Sequence, residues 1–371
     1  MKIDSRITQL AHNLLNYSIE LKKNETVYLD LVGRDTKELG CELIRIATEM
    51  GAIPFWNDFD ESFQKPFFSR ASEEQNRLFA DFHKGIMEKV HAYIGVRGST
   101  NPYDLGDLSS EQKSLKQNYF FNEVHSKTRL KKRWCVLRYP NPAMAILAKK
   151  SGEAFEDFYF KVCNLDYAKM SRAMDPLVEL MRKTDRVRLV SPGTDIEFSI
   201  KNIPVIKCDG KMNIPDGEIF TAPVKDSMNG TIAYNTTSLH QGTLFSNITL
   251  KVENGRITEY SSPQHQAELE QIFNLDAGAR YFGEFAIGLN PYINHPLNDT
   301  LFDEKIAGSI HLTPGASYDD ASNGNHSSLH WDLVLIQTPE YGGGELYFDG
   351  KLVRRDGKFV IDSLSALDSL R

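Results

Sequence analysis

Cysteine is scarce in this sequence, and its spacing excludes one common class of metal module. Four cysteines stand among 371 residues, Cys41, Cys135, Cys163 and Cys208, and no two of them form a C-x-x-C pair. This spacing argues against a structural zinc knuckle. It predicts instead that the thiols are reduced, as is usual in a cytoplasmic protein.

Long apolar runs and one-sided charge are also missing. No stretch approaches the roughly 18 consecutive apolar residues of a membrane-spanning helix, and the opening residues 1–6 are polar. The net charge of −7 arises from both signs mixed along the chain, without a basic stripe that would suit nucleic acid. We therefore expect a cytoplasmic protein that binds neither nucleic acid nor a membrane.

The first half of the chain alternates strand-like and helix-like segments, with apolar spacings of three and four in the helices. Strand 26–32, a helix that closes at Gly51 and strand 52–57 form a βαβ unit, which implies a parallel sheet. Further strands are predicted at 92–96 and 133–138, and further helices at 4–22, 61–90, 107–131 and 153–183. We predict a doubly wound α/β domain over residues 1–184, without the G-x-G-x-x-G or P-loop motif of a nucleotide site.

The pattern changes near residue 184, where short strands and Gly, Asn and Pro turns begin to dominate. Asn254-Gly255 between two alternating runs predicts a β-hairpin, and one helix is predicted around residues 264–275. At 371 residues the chain is long enough for two domains. We therefore predict a second, β-rich α+β domain over residues 185–371.

Ionisable side chains beside glycine or proline recur through this second domain. His330 and Asp332 stand two apart at the head of an apolar run. Alternate residues of a strand point the same way, so this imidazole and carboxylate are expected to project from one face. The same domain also holds Glu218, Glu284, Glu304, His311 and Tyr318.

Such nitrogen and oxygen donors suit a hard-to-borderline divalent ion, Zn, Co, Mn or Mg, rather than a thiolate site. The carboxylates outnumber what one tetrahedral zinc needs, which favours two ions that share a bridging carboxylate. Taken singly, each segment is more typical of an ion pair, a loop cap or a structural aromatic. Their recurrence within one domain is what indicates a metal centre.

The order of these segments resembles a known family. Asn213-Ile-Pro-Asp-Gly-Glu218-Ile-Phe-Thr-Ala-Pro223 matches the pattern Asn-x-Pro-x-x-Glu-x-Phe-Thr-x-Pro, and Gly283-Glu284-Phe-Ala follows at the expected distance. These motifs resemble the metallo-aminopeptidase family that includes aminopeptidase T and aminopeptidase S. The resemblance spans nearly the whole chain.

The resemblance implies that the second domain, residues 185–371, is the catalytic one and that it holds two divalent ions side by side. In that family's arrangement, Glu218 and His311 bind the first ion and Glu284 bridges the two. Glu304 and His330 hold the second ion.

Asp332 completes the implied set of ligands. Tyr318 falls where the family has a tyrosine that assists the reaction, and we assign Tyr318 and Glu218 as the catalytic candidates. The implied reaction is hydrolysis of the peptide bond at a free amino terminus by a metal-activated water. Short peptides are the implied substrates, and a homodimer is the implied assembly.

The chain departs from the family's pattern in two places. The family's aminopeptidases read His-x-His-x-Asp at the last motif, whereas this chain has Ser328-Leu-His330-Trp-Asp332. The spacing from Glu304 to His311 is also longer than is typical. Two alternatives stay open: a mononuclear Fe(II) ring-cleaving dioxygenase on the same scaffold, with Glu284 as the discriminating residue, and a degenerate non-catalytic homologue, which Ser328 favours.

Overall fold

The computed structural model describes residues 3–101, 104–240 and 242–370. Its α-helices are α1 Ser5–His12, α2 Lys37–Glu49, α3 Gln64–Phe68, α4 Glu73–Glu88, α5 Ser110–Leu115, α6 Pro142–Leu147, α7 Gly152–Cys163, α8 Tyr167–Lys183, α9 Gln266–Phe273, α10 Thr300–Asp303 and α11 Ser365–Asp368. Wider π-helical turns cover Asn13–Ser18 and Lys116–Ser126. Within the described ranges, no helix has both the length and the apolar character needed to cross a bilayer.

The strands are β1 Thr26–Val32, β2 Ile53–Phe59, β3 Ala92–Arg97, β4 Arg133–Arg138, β5 Arg186–Ser191, β6 Thr194–Ser199, β7 Ile206–Cys208, β8 Asn213–Ile214, β9 Glu218–Thr221, β10 Asn229–Ala233, β11 Ser238–His240, β12 Thr243–Phe245, β13 Thr249–Glu253, β14 Arg256–Ser261, β15 Phe282–Gly288, β16 Ser309–Pro314, β17 Leu333–Ile336, β18 Glu345–Phe348, β19 Lys351–Arg355 and β20 Lys358–Phe359. Short 3₁₀ turns cover Arg34–Thr36, Glu61–Phe63, Arg129–Lys131, Asp319–Ala321, Pro339–Tyr341 and Asp362–Leu364.

Contacts between residues divide the described chain into two compact units. The first runs to Leu165 and also takes in Gly210–Ile214; the second holds Asp166–Asp209 and the chain from Pro215 onward. The predicted division at residue 184 assigns α8 to the first domain. The contacts place α8 in the second unit instead, because it packs against β7 and α11.

The first unit is built on a parallel sheet with the strand order β2-β1-β3-β4-β8. Residues 92–96 of β3 are all buried, as expected for a parallel strand covered on both faces. Helix α2 buries one apolar stripe and is capped by Met50. Gly51 follows with a φ of 75°, which suits the left-handed position after a helix. The predicted α/β domain with a parallel sheet is confirmed.

The second unit is β-rich, as predicted, and its sheets are antiparallel. Eight described strands form one sheet in the order β14-β13-β10-β6-β5-β18-β19-β20, and five form another in the order β17-β16-β15-β9-β7. The Phe198 ring of β6 meets the Phe285 ring of β15 with centroids 5.0 Å apart, so the two sheets share a core. The predicted hairpin at Asn254-Gly255 joins β13 to β14, with both residues at positive φ.

Candidate metal centre

One face of the five-stranded sheet collects the ionisable residues. Residues 284, 286 and 288 alternate along β15 and therefore point to the same side. Their cross-strand partners are Thr313 and His311 on β16 and Glu218 on β9. Glu218, Glu284 and His311 consequently share one face, while the residues between them on β15, Phe285 and Ile287, are buried in the apolar core.

Glu284 lies between two imidazoles. Its Oε1 is 3.1 Å from Nε2 of His311, and its Oε2 is 3.5 Å from Nε2 of His330. His311 Nε2 is also 3.6 Å from Glu218 Oε2. Glu284 thus presents one carboxylate oxygen to each imidazole.

The prediction that His330 and Asp332 lie on a strand is wrong. Strand β17 begins only at Leu333, and His330 is joined to Gly315 by an isolated bridge. The two side chains nevertheless meet, since His330 Nε2 is 3.4 Å from Asp332 Oδ1. His330 Nδ1 donates to the carbonyl oxygen of Ala316 at 2.8 Å, which fixes the ring and leaves Nε2 facing the carboxylates.

Asp332 is oriented in turn by a buried hydroxyl. Thr313 Oγ1 donates to Asp332 Oδ1 at 2.7 Å, and Thr313 is fully buried on β16. Hydrogen bonds of this kind hold a metal-binding carboxylate in one orientation.

We call Glu284, His311, His330 and Asp332 the first group. Glu304, which follows α10 directly, belongs to a second group with Glu218 and His311. Ligand atoms of Glu218, Glu304 and His311 lie within 4.8 Å of one another, as do those of Glu284, His311 and Asp332. Glu304 therefore lies with Glu218 and His311, whereas the resemblance pairs it with His330. His311 belongs to both groups.

A lysine that sequence reasoning overlooked lies inside the second group. Lys305 is 1% exposed, and its Nζ is 3.0 Å from Glu218 Oε1 and is also bonded to Glu304 Oε1. The carboxylate of Asp216, from the Pro-Asp-Gly turn, is 4.0 Å away. No sequence signal marks it, because a lysine directly after a glutamate is ordinarily a solvated surface pair.

The donor atoms of the first group fit a divalent ion. Glu284, His311, His330 and Asp332 offer two imidazoles and two carboxylates, a set that zinc and its neighbours accept. Nearby, Glu218 Oε2 is buried without a hydrogen-bond partner among the described residues. A buried, unsatisfied carboxylate oxygen is costly, and a cation or a polar substrate atom would relieve that cost.

In the first group each imidazole is paired with a carboxylate, His311 with Glu284 and His330 with Asp332. Burial opposes charge on His311, but its hydrogen bond to Glu284 and the charge of Glu218 outweigh burial and raise its pKa to about 9. Burial likewise opposes charge on His330, and the nearby Asp332 carboxylate outweighs it and raises the pKa to about 11. The pKa values of Glu284 and Asp332 are lowered by the imidazoles despite burial.

In the second group, Glu218 and Glu304 share the ammonium of Lys305. Burial raises the pKa of Glu304 to about 8, with Lys305 lowering it and Glu218 adding to the increase. Burial disfavours the Lys305 ammonium, yet Glu218 and Glu304 raise its pKa well above the ordinary value.

Tyr318 stands at the open side of the first group. The residue is 52% exposed, and its ring centroid lies 4.6 Å from that of His330 and 5.8 Å from that of Phe220. Every residue selected from the sequence as a site candidate is thus part of one cluster or in contact with it.

The sequence pattern of the thermophilic metalloprotease (M29) family matches residues 3–359. The chain belongs to this family. The M29 assignment agrees with the resemblance found in the motifs around Glu218 and Glu284.

Two of three relatives of this M29 chain align with only part of its length, and the third aligns with nearly all of it. Aminopeptidase 2 of Geobacillus stearothermophilus is 31% identical over 167 residues, which are 39% of this chain and 37% of that protein. Aminopeptidase T of Thermus thermophilus is 31% identical over 168 residues, 40% of each chain. The chain therefore matches well under half the length of these two. Aminopeptidase PepS of Streptococcus thermophilus is 22% identical over an alignment that covers 95% of both proteins.

Two solved structures have the same fold as this M29 chain. Wild-type AmpT from Thermus thermophilus superposes with a TM-score of 0.78 at 20% identity, covering 97% of this chain and all of the other. The 2,5-dihydroxypyridine dioxygenase of Pseudomonas putida KT2440 superposes with a TM-score of 0.63 at 15% identity, covering 97% and 99%. At such identities the likeness concerns the fold alone.

Proposed function

We propose that this protein is a metal-dependent aminopeptidase that hydrolyses the first peptide bond of short peptides with a free amino terminus. The observation that carries the proposal is the convergence of Glu284, His311, His330 and Asp332 on one side of the sheet. Membership of a metalloprotease family supports it. Zn, Co and Mn are the ions that this mixed nitrogen and oxygen donor set accommodates best.

Glu284, His311, His330 and Asp332 would hold one divalent ion. When bound, a divalent ion lowers the pKa of its water and polarises the scissile carbonyl. The resemblance implies a second ion, for which Glu218 and Glu304 are the remaining ligands. A count of ions per chain separates the one-ion and two-ion arrangements.

The chain's own residues move the protons. Glu218 Oε2, buried without a hydrogen-bond partner among the described residues, accepts a proton from the attacking water as the new C–O bond forms. Glu218 then returns this proton to the leaving amine as the C–N bond breaks. The hydroxyl of Tyr318 donates to the oxygen of the tetrahedral intermediate.

The ring-cleaving dioxygenase alternative is not favoured. It calls for two histidines and one carboxylate around one ferrous ion with open positions. Here Glu284 stands between both imidazoles as an additional carboxylate, and the family is one of metalloproteases.

We also propose that the protein acts in the cytoplasm as a homodimer. The free thiols of all four cysteines support the first part, since disulfides are rare in that compartment. The second part rests on the family resemblance, and light scattering on the purified full chain tests it.

Release of amino acids from short peptides tests the proposed activity. The full chain, stripped with a chelator, should release the amino-terminal residue only after Co²⁺, Zn²⁺ or Mn²⁺ is restored. Peptides with an acetylated amino terminus should not be cleaved at that bond.

Two variants sharpen this test. Glu284→Gln should abolish release, because it removes the charge between the two imidazoles, whereas Glu259→Gln alters a surface carboxylate paired with Lys251 and should leave release unchanged. Absence of release with every one of the three metals would overturn the proposal.

A further inference from the structure

Lys305 is held in place by its backbone as well as by its charge. Its N–H donates to the Phe302 carbonyl at 3.0 Å, and its own carbonyl accepts from the N–H of Asn290 at 2.9 Å. Strand β15 also approaches this segment closely, since a Cβ on Gly288 would lie 2.3 Å from the carbonyl oxygen of Ile306. The side chain is thereby directed into the second group from a fixed anchor.

The Lys305 ammonium makes the contacts that a cation in the second group would make. It bonds to Glu218 Oε1 at 3.0 Å and to Glu304 Oε1, and lies 4.0 Å from Asp216 Oδ1. Burying these carboxylates without a cation would be strongly unfavourable. The ammonium supplies the positive charge, so no metal ion is needed to balance them. An ammonium has no lone pair and cannot itself be a ligand of a metal ion.

A divalent ion and the Lys305 ammonium exclude one another at this place. Both would be bound by Glu218 and Glu304, and two positive centres at such short range repel strongly in a buried site. The first group is different, because Glu284, His330 and Asp332 have no lysine or arginine partner among the described ion pairs.

We propose that Lys305 replaces the second metal ion, so that the chain binds one divalent ion tightly, in the group of Glu284, His311, His330 and Asp332. This inference rests on the proposed metal-dependent function and specifies its cofactor. Lys305 then acts as a positioning residue: it binds Glu218 through Oε1 and leaves Oε2 free for the proton of the attacking water.

Titration of the chelator-stripped full chain with Co²⁺ alone tests the inference, with calorimetry and the visible spectrum of bound cobalt as readouts. Wild-type protein should bind one ion per chain tightly. Lys305→Met, which keeps the stem and removes the charge, should bind two. Lys305→Arg keeps a positive charge and should still bind one.

Lys251→Met is the matched control, because Lys251 pairs with the exposed carboxylates of Glu253 and Glu259 on a different sheet. It should bind one ion, like the wild type. If Lys305→Met does not fold without metal, elemental analysis of protein purified in Co²⁺ gives the same count.

Two tight ions in the wild type would overturn the inference, whatever the variants do. A single ion in folded Lys305→Met would also overturn it. These counts do not depend on peptide release, so the proposed aminopeptidase activity can fail while the single-ion inference stands, and the reverse.

Discussion

Tyr318 is the residue whose proposed role can be separated most cleanly from metal binding. Its ring contacts that of His330, but its hydroxyl has no hydrogen bond among those described. Tyr318→Phe should lower kcat by about 10²-fold or more with little change in KM, because a donor to the tetrahedral intermediate acts only in the transition state. Steady-state kinetics on a short peptide, with the Co²⁺ content measured in parallel, checks this.

Loss of bound cobalt in Tyr318→Phe would contradict that assignment, since it would show that the phenol supports the ligands. Tyr318→Trp serves as the comparison, because it keeps an aromatic ring against His330 and also lacks the phenol.

For individual residues, the sequence predicted the candidate ligands but not the buried lysine that pairs with two of them. Motif order indicated Glu218, Glu284 and His311, which cross-strand pairing brings onto one face. Lys305 was not predicted, because a lysine beside a glutamate is ordinarily a solvated surface pair. Only the packing of β15 against the chain after α10 shows that its ammonium is buried.

Among the elements, the irregular start of β15 positions the central carboxylate. The pairing of β15 with β16 shifts register between Phe282 and Glu284, and a Cβ on Gly283 would lie 2.0 Å from the carbonyl oxygen of Ala316. Gly283→Ala should therefore push the two strands apart, displace Glu284 and destabilise the fold by about 1–3 kcal/mol. Urea unfolding and the affinity for Co²⁺ measure the two effects.

Gly85→Ala provides the contrast for this substitution. Gly85 lies in α4 with no atom within 4 Å of an added Cβ, so the change should stabilise the helix by about 0.5–1 kcal/mol. Unaltered cobalt affinity in Gly283→Ala would show that the bulge does not position Glu284.

Periodicity predicted elements better than it predicted their ends and partners. The strand at 133–138 coincides with β4, and the long helix predicted at 153–183 is instead two helices, α7 and α8, with a break between them. His330 and Asp332 were placed on a strand because an apolar run follows them. The backbone there makes only an isolated bridge, which alternation in a sequence cannot distinguish from a ladder.

For the molecule as a whole, His125 in the first unit should make stability depend on pH. Burial, together with the charges of Arg129 and Arg97, lowers its pKa from 6.5 to about 4. The unfolded chain takes up this proton near pH 6.5 and the folded chain only near pH 4. The stability contributed is therefore complete above pH 6.5 and is lost as the pH falls from about 6.5 to about 4.

His125→Phe keeps an aromatic ring beside Phe120 and Phe121 and removes this titration. Between pH 7 and pH 5 the free energy of unfolding should fall by about 2 kcal/mol less in the variant than in the wild type. Urea unfolding curves at the two pH values provide the measurement, and equal losses in both proteins would contradict the assignment.

The two-domain class followed from length and from the change of pattern near residue 184, but the unit boundaries did not. Helical spacing shows that α8 has one buried face without showing which neighbour covers it. The strand β8 is too short, at Asn213–Ile214, to be recognised as part of a sheet formed far earlier in the chain.

Because β8 comes late in the chain, one edge of the parallel sheet stays unpaired during synthesis. A ribosome completes β1 to β4 long before it reaches Gly210–Ile214, and until then β4 has an unpaired edge. An open parallel edge is a template for pairing with other chains, so we expect the nascent protein to be prone to mispairing while residues 166–209 emerge. Truncation of the gene after residue 165 would make that exposed edge permanent.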